Sequence, residues 1–519
     1  MNLNTFILNI IDLLGLEKHS DKIEQLLNPK NLLLITIYLS FIFLIFFTGL
    51  YKIIKNKSVL TKTLANFQNN QRHLINTIYK QKIYVVFVVP VSLVFFLLFY
   101  LPITYDEAYT FINFIDRGAI VSATYYPSPN NHVLYSIISA FINLFNFNTI
   151  VPFRIISAIC FLLSLIIVVK IFLKNSLSLK KYHYLLISVF PLNLVYIYSS
   201  SLARGYALLI LLTLINIYLI QKILKNDDDK HLQIFSFFTS LTFYTIPSYF
   251  YCHLVFCILI FFFKKNSFRF LIKSNIIILF LTSLFFFPIM IFQGYDFIFV
   301  NDLIWRVNYN ELFFYLSELK KILENDVFGM SIFILMFFSI ISFYFSIKVN
   351  KWKEFLLLFF VIFLSLLLPY FTKAIAPGRS LHLVYMLTFV MFFLPTKKIM
   401  EKLNKKNLLI LCLSIQILLL INIVRHLPFE KYSSNAERHS NEILGNNKNY
   451  FICAAHYDPL LIYYKIKNKI KNNKITLSKV DLCDVDKIKN YDWIVIDKKR
   501  DISKIKPNFD SLVWNFYKN

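Results

Sequence analysis

Small residues and acids are scarce in this sequence. Glycine accounts for 8 of the 519 residues, and 29 Asp and Glu stand against 55 Lys and Arg. So few glycines exclude a bundle whose helices approach along seams of small residues, which is common in membranes. The 6 cysteines are scattered without metal-ligand spacing, which excludes a cysteine-based zinc module.

Long apolar blocks dominate the rest of the chain. Apolar residues make up 57% of it, and its mean hydropathy is +0.59. Many blocks approach the roughly 20 residues with which a helix crosses a bilayer. The 57 Phe and 32 Tyr are expected to fill the contacts between such helices. This pattern predicts an all-α polytopic membrane protein.

Positive charge is concentrated between the apolar blocks. The formal net charge of +26 comes from Lys and Arg in short loops, a composition typical of cytoplasmic loops of membrane proteins. We therefore expect the lipid bilayer as a partner, and no nucleic acid. The loop Lys52–Lys82 contains no acid at all, so it is predicted to lie in the cytoplasm.

The basic loops predict a topology. If Lys52–Lys82 is cytoplasmic, the next block leads outward. All later basic loops are cytoplasmic only if the short run His132–Phe147 does not cross and lies in the outer interface as a helix. The sequence then predicts about twelve spans with both ends outside: Asn31–Leu50, Ile83–Pro102, Phe153–Leu173, His183–Ser199, Gly205–Ile223, Leu232–Pro247, Tyr249–Phe263, Ser274–Phe292, Val327–Ile347, Glu354–Phe371, Ser380–Pro395 and Asn407–Val424.

Four regions follow from this topology. Residues 1–30 are predicted to form an N-terminal interfacial segment. Residues 31–81 hold an extra transmembrane helix and its basic cytoplasmic loop, and residues 82–425 hold the main transmembrane module. Residues 426–519 are polar and lie outside the bilayer on the extracytoplasmic side, because the number of preceding spans places them there.

The polar tail has the pattern of a small α/β domain. Tyr450–Ala455 and Trp493–Asp497 are short apolar runs typical of buried strands, and Pro459–Lys469 between them is typical of a helix. Cys453 and Cys483 lie in this tail. They can pair only if the tail is extracytoplasmic, since disulfides persist in oxidising compartments.

Two adjacent carboxylates, Asp106 and Glu107, stand just past the first outward block. A solvated loop is the alternative reading of such a pair. The predicted topology brings basic, aromatic and histidine side chains to the same outer face, and arginine is well suited to bind phosphate. The candidates for substrate binding are Arg204, Arg379, Lys373, Arg154, His132, Tyr105 and Tyr206.

Each of these candidates also has a structural alternative. Arg204 and Arg379 are typical of interfacial residues that extend their charge to water. Tyr105 and its neighbours are typical of the aromatic belt at a membrane surface. His132 precedes the short interfacial helix, where it could cap that helix instead of contacting a substrate.

Three motifs occur in a fixed order on the predicted outer side. They are the Asp106-Glu107 pair, the stretch Pro129–Tyr135 (Pro-Asn-Asn-His-Val-Leu-Tyr) and the stretch Ser201–Ala207 (Ser-Leu-Ala-Arg-Gly-Tyr-Ala). With these motifs the chain, from about Ile83 to Pro395, resembles the GT-C glycosyltransferases that use polyprenyl-phosphate sugars. The resemblance is to the branch that contains the protein O-mannosyltransferases and the lipid A aminoarabinose transferase.

The sequence departs from the family pattern at two places. The family usually has a His-Pro-Pro-Leu-Tyr run, and here Asn130-Asn131-His132 replaces the double proline. It also tends to have an Ala-Arg-Pro-Tyr run, and here Gly205 replaces the proline after the arginine.

The resemblance implies an inverting transfer of one sugar from a polyprenyl-phosphate donor to an extracytoplasmic acceptor, which is a lipid, a glycan or a protein. Asp106 is then the expected general base for the acceptor hydroxyl. Glu107 is expected to orient the acceptor or to tune its neighbour, and the cations to stabilise the leaving phosphate. A divalent metal ion is compatible with this chemistry but not required, and no metal ligand is predicted. Residues 82–425 would be a GT-C-like catalytic module.

We expect the protein in a bacterial inner membrane, with its site facing the periplasm or the exterior. Two other functions remain open. One is a transporter or a flippase of lipid-linked glycans, which should carry ionisable groups at mid-membrane. The other is a scaffold whose tail binds a partner. The gathering of polar residues at the outer ends of the spans favours surface chemistry over passage.

Overall fold

The computed structural model describes most of the main transmembrane module and the strands of the tail. Segment 1–30, nearly all of the span Asn31–Leu50 and of the loop Lys52–Lys82, and the predicted helix Pro459–Lys469 apart from Tyr463 lie outside the described residues. The described residues are 37–38, 76, 78–79, 82–126, 131–145, 147, 149–173, 181–224, 229–264, 267–293, 312–328, 330–371, 381–393, 403–426, 450–453, 463, 475–477, 493–497, 509–510 and 514–518.

The apolar block Ile83–Pro102 is followed by a sharp bend. Helix α1 covers Tyr84–Tyr100, as predicted, and its end follows from Pro102, which disfavours a helical conformation in the residue before it. Helix α2 (Tyr105–Thr110) continues as a π-helical turn, Phe111–Ile115. This second segment is bent by 70° from α1, so the carboxylate pair lies on a helix that turns away from the axis of α1.

Two short helices complete the loop. Helix α3 (Ala119–Thr124) begins after Gly118, whose φ of 92° lies in the left-handed region that favours glycine. Helix α4 (Val133–Asn143) has 11 residues and is about 16 Å long, whereas the hydrocarbon core is about 30 Å thick. Its length agrees with the prediction that the run His132–Phe147 does not cross. Its position in the outer interface stays a prediction.

The next four helices form the centre of the bundle. The largest apolar cluster joins them to α1 through buried side chains such as Phe161 and Ile197. The helices are α5 (Val151–Leu173), α6 (Lys181–Val189), α7 (Leu194–Ser201) and α8 (Tyr206–Ile223).

One predicted span is broken rather than straight. The sequence predicts a single helix at His183–Ser199, but a 3-10 turn at Phe190–Leu192 separates α6 from α7, and the two are bent by 56°. Pro191 lies in this turn and lacks the N–H that a continuous helix requires. Asn193 then caps α7, because its side chain accepts the N–H of Tyr196 at 2.8 Å.

The remaining helices follow the predicted blocks with shifted ends. The predicted turn at Pro247 and Ser248 is present as a 3-10 turn, and α11 begins seven residues before the predicted Ser274. The helices are α9 (Asp229–Thr245), α10 (Phe250–Phe263), α11 (Ser267–Gln293), α12 (Leu312–Lys321, continued as a π-helical segment Ile322–Phe328), α13 (Ile332–Lys348), α14 (Trp352–Phe371), α15 (His382–Phe393) and α16 (Lys405–His426).

Among the described residues, three helices are long and apolar enough to cross a membrane, and up to five crossings result if each bent pair counts as one. The three are Val151–Phe172, Tyr206–Ile223 and Ser267–Ile291. These helices agree with the expectation of a helical membrane protein. The larger number of about twelve spans stays a prediction.

The described parts of the tail form a five-stranded sheet. The predicted strands are present as β1 (Tyr450–Cys453) and β3 (Trp493–Asp497), which pair in parallel. The sheet order is β2-β1-β3-β5-β4, in which β2 is parallel to β1 and β5 is antiparallel to both β3 and β4. The added strands are β2 (Ile475–Leu477), β4 (Phe509–Asp510) and β5 (Trp514–Lys518).

The two ends of the bundle carry different charges. Helices α5 and α8 begin at the end that holds the carboxylate pair, where Ser157 of α5 donates to the carbonyl of Arg204 at 3.1 Å. They finish among lysines. The Nζ atoms of Lys170 and Lys222 lie 5.1 and 5.5 Å from the centre of the Tyr218 ring. The acids and the lysines are thus separated by the length of these helices.

Candidate active site around Asp106

The first turn of α2 gives Asp106 and Glu107 different directions. Thr104 begins the helix with a capping box: its Oγ1 accepts the N–H of Glu107 at 3.2 Å, and the carboxylate of Glu107 accepts the N–H of Thr104 at 3.0 Å. The sequence Thr-Tyr-Asp-Glu encodes this arrangement. Successive helical residues are about 100° apart around the axis. When the box turns Glu107 back into the bundle, Asp106 faces a different side.

Glu107 lies completely inside the protein. Its side chain is 0% exposed. Oε1 accepts from Nε of Arg154 at 2.8 Å and from the N–H of Ala203 at 2.6 Å. Oε2 accepts from Nη2 of Arg154 at 2.8 Å and from the N–H of Thr104. A carboxylate has about four acceptor positions, so these bonds satisfy Glu107. The expectation that it orients an acceptor is therefore corrected to a role in holding other protein groups.

Arg154 is likewise satisfied within the protein. Two of its five donors bond Glu107. The other three bond the carbonyls of Leu98 at 3.0 Å, Leu101 at 2.7 Å and Pro102 at 2.9 Å. A guanidinium has five N–H donors in all, so none remains for a phosphate. The expectation that Arg154 binds substrate is therefore corrected: it joins the start of α5 to the end of α1 and to Glu107.

Asp106 is the accessible member of the pair. Its side chain is 30% exposed, and Oδ2 lies 3.6 Å from Nη2 of Arg204. The Arg204 side chain is only 2% exposed, and its Nη1 donates to Oγ1 of Thr110 at 2.6 Å and to the carbonyl of Asp106 at 3.1 Å. A nearby cation favours the ionised carboxylate. The structure thus brings these two candidate residues together, and the expectation that Arg204 binds the substrate phosphate stays a prediction.

Three side chains from different elements hold the backbone around Arg204. Glu107 accepts the N–H of Ala203, Ser157 donates to the carbonyl of Arg204, and Nδ1 of His132 accepts the N–H of Gly205 at 2.8 Å. The predicted motif residues His132 and Arg204 are thus brought together. The sequence did not indicate Ser157 or Thr110 as members of this site.

Gly205 and His132 fit each other closely. A Cβ atom built on Gly205 would lie 2.6 Å from Cβ of His132, closer than real contacts allow. A proline at this position, as in the family pattern, would also remove the N–H that His132 accepts. Both the close approach and the hydrogen bond therefore favour glycine at residue 205.

The Asn131 side chain ties the second motif to the segment around α3. Its Nδ2 donates to the carbonyls of Ser122 at 3.0 Å and Tyr125 at 2.9 Å, and its Oδ1 accepts from Ser136 at 2.8 Å. Next to it, the N–H of Tyr126 donates to the side chain of Gln293, and burial raises the pKa of the Tyr126 phenol. These bonds connect the end of α11 to the start of α4.

Aromatic rings border the carboxylate. Tyr105 and Tyr109 stack with their ring centres 6.1 Å apart, and both are partly exposed. Tyr206 is buried, with Cζ of Arg204 5.8 Å from its ring centre and the His132 ring at 4.4 Å, edge to face. From the tail, Tyr463 is 2% exposed and lies edge to face with Phe111 at 5.3 Å. The expectation that Tyr105 binds substrate stays a prediction, whereas Tyr206 packs between His132 and Arg204.

Two predicted cations are not placed by the structure. Lys373 and Arg379 lie outside the described residues, so their roles stay predictions. Within the ranges that the structure describes, no group of three or more His, Cys, Asp or Glu side chains is arranged to hold a metal ion. A divalent ion beside Asp106 also stays a prediction.

Comparison with known proteins finds no relative of this chain. No protein-family model matches the chain, and no curated protein sequence matches it. The GT-C resemblance therefore depends on the three motifs themselves. In the structure, Asp106, His132 and Arg204 of these motifs lie within one network of hydrogen bonds, with an ion pair between Asp106 and Arg204.

Proposed function

We propose that this protein is a GT-C-type membrane glycosyltransferase that moves one sugar from a polyprenyl-phosphate donor to an extracytoplasmic acceptor. The observation that supports it is the division between the two carboxylates. Glu107 is buried and neutralised by Arg154, whereas Asp106 is partly exposed beside Arg204. A partly exposed carboxylate beside a fixed cation suits a general base that acts on a hydroxyl.

In the proposed reaction, Asp106 accepts the proton of the acceptor hydroxyl as its oxygen attacks the anomeric carbon. The bond between that carbon and the phosphate oxygen breaks, and polyprenyl phosphate leaves with the electron pair. Attack opposite the leaving group inverts the anomeric centre. Arg204 lies beside Asp106. Together with the predicted cations Lys373 and Arg379, it supplies the positive charge for the departing phosphate.

The membrane setting belongs to the same proposal. The lysines gather at the end of α5 and α8 opposite Asp106, which supports a cytoplasmic location for that end and an outer location for the site. At a bilayer edge the donor keeps its polyprenyl tail in lipid while its sugar reaches water. The whole chain is proposed to have about twelve spans, with the tail as an extracytoplasmic α/β domain whose Tyr463 contacts the site loop.

The test is sugar transfer by Asp106→Asn. Purified protein in detergent is given radiolabelled polyprenyl-phosphate hexoses and pentoses with envelope lipid and glycan acceptors, and labelled product is measured together with released polyprenyl phosphate. Removing a general base should lower transfer by about 10²-fold or more. The matched control is Asp116→Asn, the same change at an exposed acid of the same loop, which should transfer as the wild type does. Undiminished transfer by Asp106→Asn contradicts the proposed base.

A transporter or flippase of lipid-linked glycans is the second candidate, and one observation favours it. His253 of α10 is 4% exposed among the apolar helices, and its Nε2 bonds Oδ1 of Asn275 at 2.8 Å. Its Nδ1 is buried and has no hydrogen-bond partner in the described part of the chain. An ionisable residue within a membrane bundle often marks a pathway.

Reconstitution separates the two candidates. In proteoliposomes with a fluorescent polyprenyl-phosphate sugar, a flippase moves the label between leaflets, which a membrane-impermeant quencher detects. Flipping that is lost in His253→Phe and kept in Asp106→Asn would favour transport. Product formation that is lost in Asp106→Asn and kept in His253→Phe would favour transfer.

A further inference from the structure

The peptide unit between Arg204 and Gly205 is held at both of its polar atoms. Ser157 of α5 donates to the Arg204 carbonyl at 3.1 Å, and Nδ1 of His132 accepts the Gly205 N–H at 2.8 Å. A peptide unit is planar, so fixing its oxygen and its nitrogen fixes the direction of the whole plane. This plane begins at the Cα atom of Arg204, and the side chain that carries the guanidinium extends from the same atom.

His132 has this contact in place of the expected helix cap. It occupies the residue before α4, yet its side chain makes no capping hydrogen bond to that helix. Instead it accepts the N–H of Gly205, the residue just before α8. The first N–H groups of a helix have no partner within it, so an acceptor from another element fixes where that helix starts.

Steric fit makes the contact specific. The space in front of Gly205 is filled by the His132 side chain, whose Cβ, Cγ and Nδ1 lie 2.6, 3.0 and 3.0 Å from a Cβ built on the glycine. Any larger residue at 205 would displace the imidazole. The imidazole in turn packs edge to face against Tyr206, whose ring also lies beside Arg204.

We propose that His132 is a positioning residue: by accepting the Gly205 N–H it fixes the peptide from which Arg204 reaches Asp106. His132 itself then touches neither the donor nor the acceptor. This inference rests on the proposed function, because Asp106 is the group whose environment Arg204 sets. Loss of the acceptor lets the peptide rotate and moves the guanidinium away from a carboxylate that it meets at 3.6 Å.

The fit is tested without any activity by a double-mutant cycle on thermal unfolding. Gly205→Ala is expected to lower the unfolding temperature in the wild-type background, because the new methyl group meets the imidazole. The loss should be at least halved in the His132→Gly background, which removes Cβ, Cγ and Nδ1 together and leaves that space empty. Equal losses in both backgrounds would overturn the matched fit.

The positioning role is tested by kinetics of transfer with two substitutions. His132→Phe keeps a ring but removes the acceptor, and His132→Asn places Oδ1 near the position of Nδ1. We expect kcat to fall about tenfold for His132→Phe with the donor KM within about twofold, since small misplacements cost rate rather than binding. His132→Asn should recover most of that loss.

His183→Phe is the matched control, since His183 is also buried beside an aromatic ring, that of Phe172, near the opposite end of α5. It should leave kcat unchanged. A raised donor KM in His132→Phe, or no recovery in His132→Asn, would overturn the positioning role. If the wild type transfers no sugar at all, the proposed function fails, and the unfolding cycle still decides the fit of Gly205 and His132.

Discussion

Asp106 and Glu107 are neighbours in sequence but differ in exposure and in partners. Glu107 is buried with four hydrogen bonds, two of them from Arg154. Asp106 is partly open to solvent and meets Arg204. Here each has its own arginine, so one serves the fold and the other remains available for chemistry.

The buried pair leads to a prediction on stability. Glu107→Gln keeps the shape of the side chain but leaves the Arg154 charge buried without a counter-charge. Removing one partner of a buried ion pair typically costs about 3–5 kcal/mol. The measurement is thermal or denaturant unfolding in detergent.

An exposed pair provides the control. Glu318 lies on α12 and pairs with Lys321, three residues later, with side-chain exposures of 30% and 62%. Exposed pairs contribute under about 1 kcal/mol, so Glu318→Gln should be nearly neutral. A loss of stability in Glu107→Gln no larger than in Glu318→Gln would mean that the Glu107–Arg154 pair does not hold the loop.

At the scale of the element, capping decides where the site helix begins. Thr104 and Glu107 close a capping box at the start of α2, just past the 70° bend. The box both starts the helix and turns Glu107 inward. The motif Thr-x-x-Glu is visible in the sequence. The bonds from Arg154 on another helix to the carbonyls of Leu98, Leu101 and Pro102 at the end of α1 are not.

Thr104→Ala should therefore weaken both functions of the box. Loss of an N-cap side chain costs about 1 kcal/mol, and transfer should fall as well because Asp106 lies two residues away. Thr104→Ser keeps the hydroxyl and should behave as the wild type. Thr124→Ala is a control in α3, where the hydroxyl donates to the Ile120 carbonyl four residues earlier in the chain. Equal effects of Thr104→Ala and Thr124→Ala would contradict a special role for the box.

The pair α6 and α7 shows a feature that the pattern of apolar residues does not predict. The run His183–Ser199 has the composition of one span, but Pro191 and the Asn193 cap break it into α6 and α7. Composition depends on how many apolar residues a segment has. A break in the helix depends on single residues. Their effect depends in turn on whether the neighbouring helices can pack against the bent shape.

At the scale of the whole molecule, charge distribution predicts orientation. The acids of the site and the lysines around Tyr218 lie at opposite ends of α5 and α8. The positive-inside tendency predicts that the lysine end faces the cytoplasm. The sequence places the exposed Asn350, which follows α13, on that cytoplasmic side as well.

Cysteine labelling in intact cells checks this orientation. In a background with Cys453 and Cys483 changed to Ser, Asp116→Cys should react with a membrane-impermeant maleimide. Asn350→Cys should react only after permeabilisation. Both positions are exposed in the structure, so failure to react reflects the membrane side and not burial. The reverse pattern would place the site in the cytoplasm and would contradict the proposed donor chemistry.

Several features of the site were predictable because they are local. The Asp106-Glu107 pair, His132 and Arg204 stand out as polar residues at the ends of apolar blocks, and the structure brings them together. Ser157, Thr110 and Tyr463 gave no such signal. Small hydroxyls and single tyrosines are common in apolar helices, and only a neighbouring chain segment gives them a specific partner.

The sequence by itself determined that the chain forms apolar helices, where most of them lie, and that polar residues collect at their ends. These properties follow from side-chain hydropathy and from short motifs such as the capping box, which act over a few residues. Only the tertiary structure decided which carboxylate is exposed, which arginine each one meets, and why residue 205 is glycine. Those outcomes depend on burial and on distances between segments that are far apart in the chain, and a linear pattern does not contain them.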